Sequence, residues 1–437
     1  MEANVKQPVN QSKGLGAVKG EYIFGFVAII LVLMFGHFYL KSDMLFFRLL
    51  VGVGLGYALS RAFTGFAGSI NRAYATGSTK LLRAMVLMFF ISTLMTTAFL
   101  FNADPASYDL WVNPINLGLL LGGLLFGFGM SFSACCASGV LTDLVTGLPR
   151  ALITLLFFGF GVFIAFPIQH SAGWVQNSLF TTEVGEKLSG GVYLPDLFKW
   201  DGVGGYLGAL LVTALLCGVA VYLAYRYEKY RKEKNTYSGH FTEKMQEQPD
   251  DFDSKDYKLL SATTYNRLFV KPWTLTQGAV VLSALFVLLM GVTKAGWGAS
   301  TPYGLWFGKL LMAFGVSPDA IAEFTIMPAD PYILPFFEHG VSVQNFGILA
   351  GTLIYLLMAG KFKNMFNAGR HIQGKEIMIF AVGGLLMGVG TRLSNGCNVG
   401  ALYTPIANFS LSGWIFFVFL ALGAILGNMF SKRFFYR

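Results

Sequence analysis

Four cysteines, Cys135, Cys136, Cys217 and Cys397, are the residues of this chain whose type and setting suggest chemistry. All four lie in apolar segments and none stands at metal-ligand spacing from another. A metal site and a secreted disulfide framework are therefore not expected. A neutral thiol is a soft, weak donor and acceptor of hydrogen bonds, so it suits a soft partner held loosely. The alternative role of a buried cysteine is that of a small hydrophobe. Cys217, in Leu-Leu-Cys-Gly within a plain apolar run, takes that reading.

Cys136 and Cys397 occupy matched positions of an internal repeat. Gly122-Gly-Leu-Leu-Phe-Gly-Phe-Gly-Met-Ser-Phe-Ser-Ala-Cys-Cys-Ala-Ser-Gly-Val-Leu141 aligns without a gap with Gly383-Gly-Leu-Leu-Met-Gly-Val-Gly-Thr-Arg-Leu-Ser-Asn-Gly-Cys-Asn-Val-Gly-Ala-Leu402. Ten of the twenty positions are identical, including Ser133/Ser394, Cys136/Cys397 and Gly139/Gly400. Cys135 pairs with Gly396, so it stands between packing and function. Glycine and asparagine tolerate strained or left-handed backbone. Gly139 and Gly400 follow the cysteines, and Asn395, Gly396 and Asn398 surround Cys397. Both segments read as helix breaks followed by half-helices, whose free N–H groups and positive dipole end suit an anion. The candidate substrate-binding residues are Cys136, Cys397 and Cys135, with Ser133, Ser394, Gly139, Gly400, Asn395 and Asn398 around them. Gly122, Gly127, Gly383 and Gly388 read as close helix packing. No metal and no cofactor is expected.

The elements that must position these residues are transmembrane helices. Only 13% of the 437 residues are charged and 54% are hydrophobic, whereas a soluble domain carries roughly 25% charged residues. Apolar runs long enough to span lie at 22–40, 45–60, 81–101, 116–132, 151–167, 203–224, 273–293, 345–360, 376–392 and 413–431. The segment Met1 to Gly20 shows no cleavable signal, so the first run is kept as a helix. Parts of 64–79 and 302–316 are candidates to re-enter the membrane. The net charge of +9 does not mark a nucleic-acid binder. The basic residues sit in short segments between apolar runs, at 61–83, 225–272, 361–375 and the C-terminal tail. The positive-inside rule then puts both termini in the cytoplasm. The chain divides into a first membrane half (1–224), a polar cytoplasmic linker (225–272) and a second membrane half (273–437). By the charge count the two repeat helices run in opposite directions. The expected fold is an all-α polytopic membrane protein, an inverted-repeat helical bundle with broken or re-entrant helices at its centre. Inverted repeats are a transporter architecture with the substrate site at the repeat interface.

At these motifs the sequence resembles the YeeE/YedE family of sulfur-compound permeases. The residues that carry the resemblance are Gly129-Met-Ser-Phe-Ser-Ala-Cys-Cys-Ala-Ser-Gly139 and Gly390-Thr-Arg-Leu-Ser-Asn-Gly-Cys-Asn-Val-Gly400. Pro405-Ile-Ala-Asn-Phe-Ser-Leu-Ser-Gly-Trp414 and Gly56-Tyr-Ala-Leu-Ser-Arg-Ala-Phe-Thr-Gly65 are also similar to the family. The resemblance implies thiosulfate uptake through a bacterial inner membrane, with central cysteines, here Cys136 and Cys397, meeting the substrate's sulfur. It further implies a small cytoplasmic thiol sulfur-carrier protein as a partner at the inner mouth. Family members often carry a further cysteine in the first half, where this chain has Thr64, and related sequences are linked to selenium metabolism. A selenium-compound transporter is therefore an alternative substrate reading. A thiol can hold a terminal sulfur without binding too tightly to release it, the balance conduction needs.

A second class of reading is a membrane-embedded sulfurtransferase or thiol redox protein using Cys135 and Cys136. A dedicated redox pair shows Cys-x-x-Cys, which this chain lacks, and no quinone, haem or flavin motif is present. The chain is read as a permease and not as an enzyme. Arg392, inside an apolar run, is a further candidate because an intramembrane charge marks function by default. Arg61 invites the same thought. His37, His170 and His339 fall near membrane ends without triad or metal spacing.

Overall fold

A computed structural model describes residues 15–248 and 261–434 of the chain. Among them no β-strand occurs, and ten helical spans are long and apolar enough to cross a membrane. In a bilayer every backbone polar group must find its partner within the protein, which an apolar helix of about 20 residues achieves alone.

The first repeat comprises α2 (Asp43–Arg61), α3 (Phe66–Thr76), α4 (Lys80–Leu100), α5 (Leu117–Ser133), α6 (Ala137–Thr146) and α7 (Leu148–Ser171), preceded by α1 (Leu15–Phe38). After α8 (Tyr206–Glu233) the second repeat follows. It comprises α9 (Leu275–Thr293), α10 (Thr301–Ala313), α11 (Gly340–Met358) and α12 (Gly374–Leu393). The π-helical turn Asn398–Tyr403 and the short helix Thr404–Ala407, together α13, lead to α14 (Leu411–Phe434). Local sequence sets the ends. Ser42 caps α2 by accepting from the Leu45 N–H, and Thr274 with Gln277 forms a capping box on α9. The breaks between α2 and α3 and after α9 contain non-glycine residues in the left-handed region, Phe63 and Lys294.

The helices of the two repeats correspond in order, and their packing corresponds too. Helix α2 lies against α11 as α9 lies against α4, and α7 lies against α12 as α14 lies against α5. The two motif helices α5 and α12 pack on each other through glycine. A Cβ on Gly122 would stand 2.7 Å from the Gly390 carbonyl oxygen, and one on Gly390 would stand 2.8 Å from that of Gly122. The mated contact is Gly129 against Gly383, with 2.6 and 2.9 Å. Since 122 meets 390 while 129 meets 383, the helices are antiparallel. Each contact also maps onto the other when repeat mates are exchanged. The repeats are therefore inverted about a pseudo-two-fold axis through this contact. Glycine here serves close backbone approach, as in small-xxx-small contacts.

Helices α1 and α8 stand outside this symmetric body. Helix α1 packs on α11 and α8 on α4, and both leave most of their surface outward. Counting ten crossings from residue 15 places residues 15 and 434 on one face, called the near face. The loop 101–116 and the segment 172–205 lie on the far face. The segments 64–79 and 302–316, candidates to re-enter the membrane, carry the short helices α3 and α10.

Candidate functional site

The site is built by the two motif breaks. Helix α5 ends at Ser133, and Ala134 turns the chain with φ 56° in the left-handed region. Its repeat mate Asn395, after α12, has φ 55°. Asparagine enters this region readily, whereas alanine costs roughly 1–2 kcal/mol there. The matched serines hold both turns in the same way. The Ser133 hydroxyl lies 3.2 Å from the Gly129 carbonyl and 3.1 Å from that of Cys135. The Ser394 hydroxyl lies 2.7 Å from the Gly390 carbonyl and 3.0 Å from that of Gly396.

Past each turn the chain is extended at a cysteine and then enters a half-helix. Cys136 is the N-cap residue of α6 and Cys397 that of α13. Each thiol thus sits where free backbone N–H groups begin. The sulfur of Cys136 is 3.4 Å from the Ser138 hydroxyl and is faced by the backbone N–H groups of Gly139 and of Ala67, near the start of α3. Two half-helix N-termini therefore converge on one thiol. Tyr303 of α10 is within electrostatic reach of Cys135, Cys136 and Cys397, and its hydroxyl donates to the Ala137 carbonyl at 2.5 Å. All three thiols are buried and none is disulfide-bonded.

Two cavities approach this centre from opposite faces. The near-face cavity, about 230 Å³, is lined by Thr64, Gly65, Arg72, Cys135, Cys136, Gly139 and Asp143 among others. The hydroxyl of Thr64 has no hydrogen-bond partner in this wall. The far-face cavity, about 370 Å³, is lined by Asp109, Trp111, Asn113, Gln176, Ser189 and Asn395 among others. Cys397 lines neither cavity and is fully buried.

The repeats differ where the cavities differ. Cys135 opens on the near-face cavity, but at its mate Gly396 a Cβ would stand 2.5 Å from the Gly400 carbonyl carbon, so no side chain fits. A Cβ on Gly139 would lie 3.4 Å from the Cys136 sulfur, beside open space. One on Gly400 would lie 2.4 Å from Cζ3 of Trp111. The Trp111 indole thus fills the position that is hollow in the first repeat. It closes the far-face cavity against α13. Trp111 has φ 55°, and its indole N–H donates to Asp109 at 2.7 Å.

Asn398, the mate of Ala137, is fully buried. Its amide nitrogen donates to the Met130 sulfur at 3.1 Å, and its oxygen has no partner. Asn395 accepts at 2.6 Å from Gln169 of α7, which in turn accepts from Arg392. Arg61 is different. Its guanidinium donates to the carbonyls of Lys271 and Arg267 and to the Tyr57 hydroxyl, and it lies 4.6 Å from the centre of the Trp273 ring. It ties the segment before α9 to α2. Cys217 packs in α8 against α4, remote from both cavities. Among the described residues no cluster of His, Cys, Asp and Glu is arranged to hold a metal ion. Sequence reasoning missed Trp111 and Gln169, which lie outside the repeated motif.

The chain is similar in sequence to several known proteins. The thiosulfate transporter TsuA of Spirochaeta thermophila is 24% identical over 388 residues, covering 87% of this chain and 97% of that protein. The thiosulfate transporter TsuA of Escherichia coli is 23% identical over 391 residues, covering 87% and 93%. The probable transporter YedE of Escherichia coli is 28% identical over 162 residues, and this match spans only 37% of this chain and 39% of YedE. The sequence pattern of the family described as sulphur transport matches residues 61–426. That match takes in most of both repeats and both cysteine-tipped half-helices, and the chain accordingly belongs to the sulphur-transport family.

Proposed function

We propose that this chain is a permease that takes up thiosulfate across the bacterial plasma membrane, passing it along the central thiols. The observation that carries the reading is the meeting of two cysteine-tipped half-helices from inverted repeats between two opposed cavities. Thiosulfate is a small dianion with a soft terminal sulfur and a hard sulfonate end. Half-helix N-termini favour the charge, and neutral thiols offer the sulfur weak hydrogen bonds that break again on the way through. The names of the TsuA relatives support the same substrate. Ser133 and Ser394 act in this reading by holding the turns, while Cys136, Cys135, Gly139 and Cys397 form the path. Asn395 and Asn398 supply amides beside Cys397, and Gly400 gives Trp111 its place.

The near face is cytoplasmic in this proposal. It carries Arg150, the cluster from Arg226 to Lys234, the segment with Lys361, Lys363, Arg370 and Lys375, and the C-terminal Lys432 and Arg433. The far-face loop 101–116 carries no Lys or Arg. Reporter fusions after Arg437 and within 240–255 are expected to report cytoplasm. An external signal from either would reverse the assignment of the cavities. The uptake itself is tested in a bacterium lacking its own thiosulfate and sulfate uptake. Expression of this chain is expected to restore growth on thiosulfate and accumulation of radiolabelled thiosulfate inside the cells. Loss of thiosulfate from the medium without accumulation would replace the permease with a membrane sulfurtransferase.

A further inference from the structure

Arg392 is a charge inside the protein that forms no ion pair among the described residues. It is 8% exposed. Its one hydrogen bond runs from Nη1 to the Gln169 side-chain oxygen at 3.3 Å, its Nε has no partner, and its guanidinium lies 5.3 Å from the centre of the Phe166 ring. The ion pairs among the described residues all involve other groups. An unpaired buried charge is costly, and a protein that keeps one commonly does so for function.

The contacts of Arg392 fix the orientation of two amides. A guanidinium only donates, so Gln169 must turn its oxygen toward Arg392. Gln169 then presents its nitrogen to Asn395, whose oxygen accepts at 2.6 Å. That leaves the nitrogen of Asn395, a pure donor, free to serve the far-face cavity that this residue lines. The chain Arg392–Gln169–Asn395 converts a buried positive charge into an oriented N–H donor on the cavity wall, beside the turn that leads to Cys397.

Resting on the permease reading, we infer that Arg392, Gln169 and Asn395 form an oxyanion station at the inner end of the far-face cavity. It takes the oxygen-bearing end of the substrate, and the thiols take the sulfur end. Asn395 contacts the oxyanion. Gln169 and Arg392 are positioning residues, and Arg392 also supplies the compensating charge. The station selects for sulfur oxyanions and against hydrosulfide, which has no oxygen to offer.

The deciding variant is Gln169→Glu. It keeps the shape and gives Arg392 an ion pair, but it neutralises the charge and turns the donor chain into acceptors. In full-length protein, uptake of radiolabelled thiosulfate is measured against concentration, with thermal unfolding of the purified protein alongside. Q169E is expected to unfold at or above the wild-type temperature, because a lone charge has gained a partner. Its half-saturation concentration is expected to rise about tenfold or more, the loss of one charge-assisted hydrogen bond, with the maximal rate within about twofold of wild type. Hydrosulfide carries a single charge and has no oxygen to accept the Asn395 N–H, so its inhibition constant is expected to rise less than the thiosulfate half-saturation. Asn395→Asp, which tolerates the same left-handed backbone and replaces the donor directly, gives an independent second reading and is expected to raise half-saturation as much. Wild-type half-saturation in either folded variant, or a loss confined to the maximal rate, would overturn the station. Absence of thiosulfate uptake by the wild-type protein would instead overturn the permease reading on which the station rests.

Discussion

Cys136→Ala and Cys397→Ala are each expected to bring thiosulfate uptake close to background while leaving the protein folded and inserted. The two thiols are N-cap residues of matched half-helices on either side of a pseudo-two-fold axis, so a substrate passing between the opposed cavities meets both. Removing a buried hydrogen-bonding partner costs about 1–3 kcal/mol, which is a fall of roughly 5- to 150-fold at each station. Two stations in series do not compensate for each other. The packing consequence is small, since replacing a thiol by hydrogen removes one atom, and stability should fall by about 1 kcal/mol. Serine at either position should restore little, because a hydroxyl is harder and more strongly hydrated than a thiol. Cys135→Ala is expected to have an intermediate effect. Its thiol lines the near-face cavity, but its mate is glycine, so no symmetric partner depends on it. Cys217→Ala is the control and should leave uptake unchanged, its thiol only packing between α8 and α4. Radiolabelled uptake, normalised to inserted protein and accompanied by thermal unfolding, measures all of this. Normal transport by both Cys136→Ala and Cys397→Ala would reduce the cysteines to packing residues.

The broken repeat was legible because it is written locally. Serine, cysteine and glycine recur at one fixed offset, and an asparagine beside a glycine signals a left-handed turn in one copy. The ten spans were legible because a bilayer demands long apolar runs, and each run overlaps one long helix of the structure, although α8 continues past residue 224 to Glu233. Opposite helix directions followed from charge, and the reciprocal glycine contacts of α5 and α12 bear them out. The left-handed Ala134 was not legible, since alanine is a poor marker for that conformation and its serine clamp shows only in three dimensions. Arg392 stood out as a lone charge in an apolar run. Its partner Gln169 did not, because a glutamine in the last turns of a helix is ordinary. Trp111 was equally silent. An aromatic residue in a loop carries no mark of its role until the chain folds and Gly400, far away in sequence, is found to make room for its ring.

Trp111→Ala is expected to open Cys397 to the far face. The indole stands against Gly298 and Gly400, where a Cβ would lie 2.8 and 2.4 Å from it. Its backbone holds φ 55°, and Asp109 anchors the ring N–H at 2.7 Å. Replacing the indole by a methyl group leaves a cavity that the rigid glycine-lined walls cannot collapse to fill. With Cys135, Cys136 and Cys217 changed to alanine, Cys397 is the sole thiol and reports its own accessibility. Its labelling by a charged, membrane-impermeant thiol reagent applied from the far face is expected to be negligible with Trp111 present. On Trp111→Ala it should rise on the order of tenfold or more, as exposure governs thiol reactivity. Gly400→Ala tests the same contact from the other side. The added methyl group cannot coexist with the ring as placed, and such overpacking costs about 1–3 kcal/mol. The ring is therefore forced off its seat, and labelling rises in this variant too. Gly139→Ala is the repeat-related control. Its Cβ would sit at an ordinary 3.4 Å from the Cys136 sulfur with no ring to displace, so far-face labelling of Cys397 should not change. If Trp111→Ala folds and Cys397 stays unlabelled from the far face, the ring is not the closure, and the barrier lies deeper, at α13 itself.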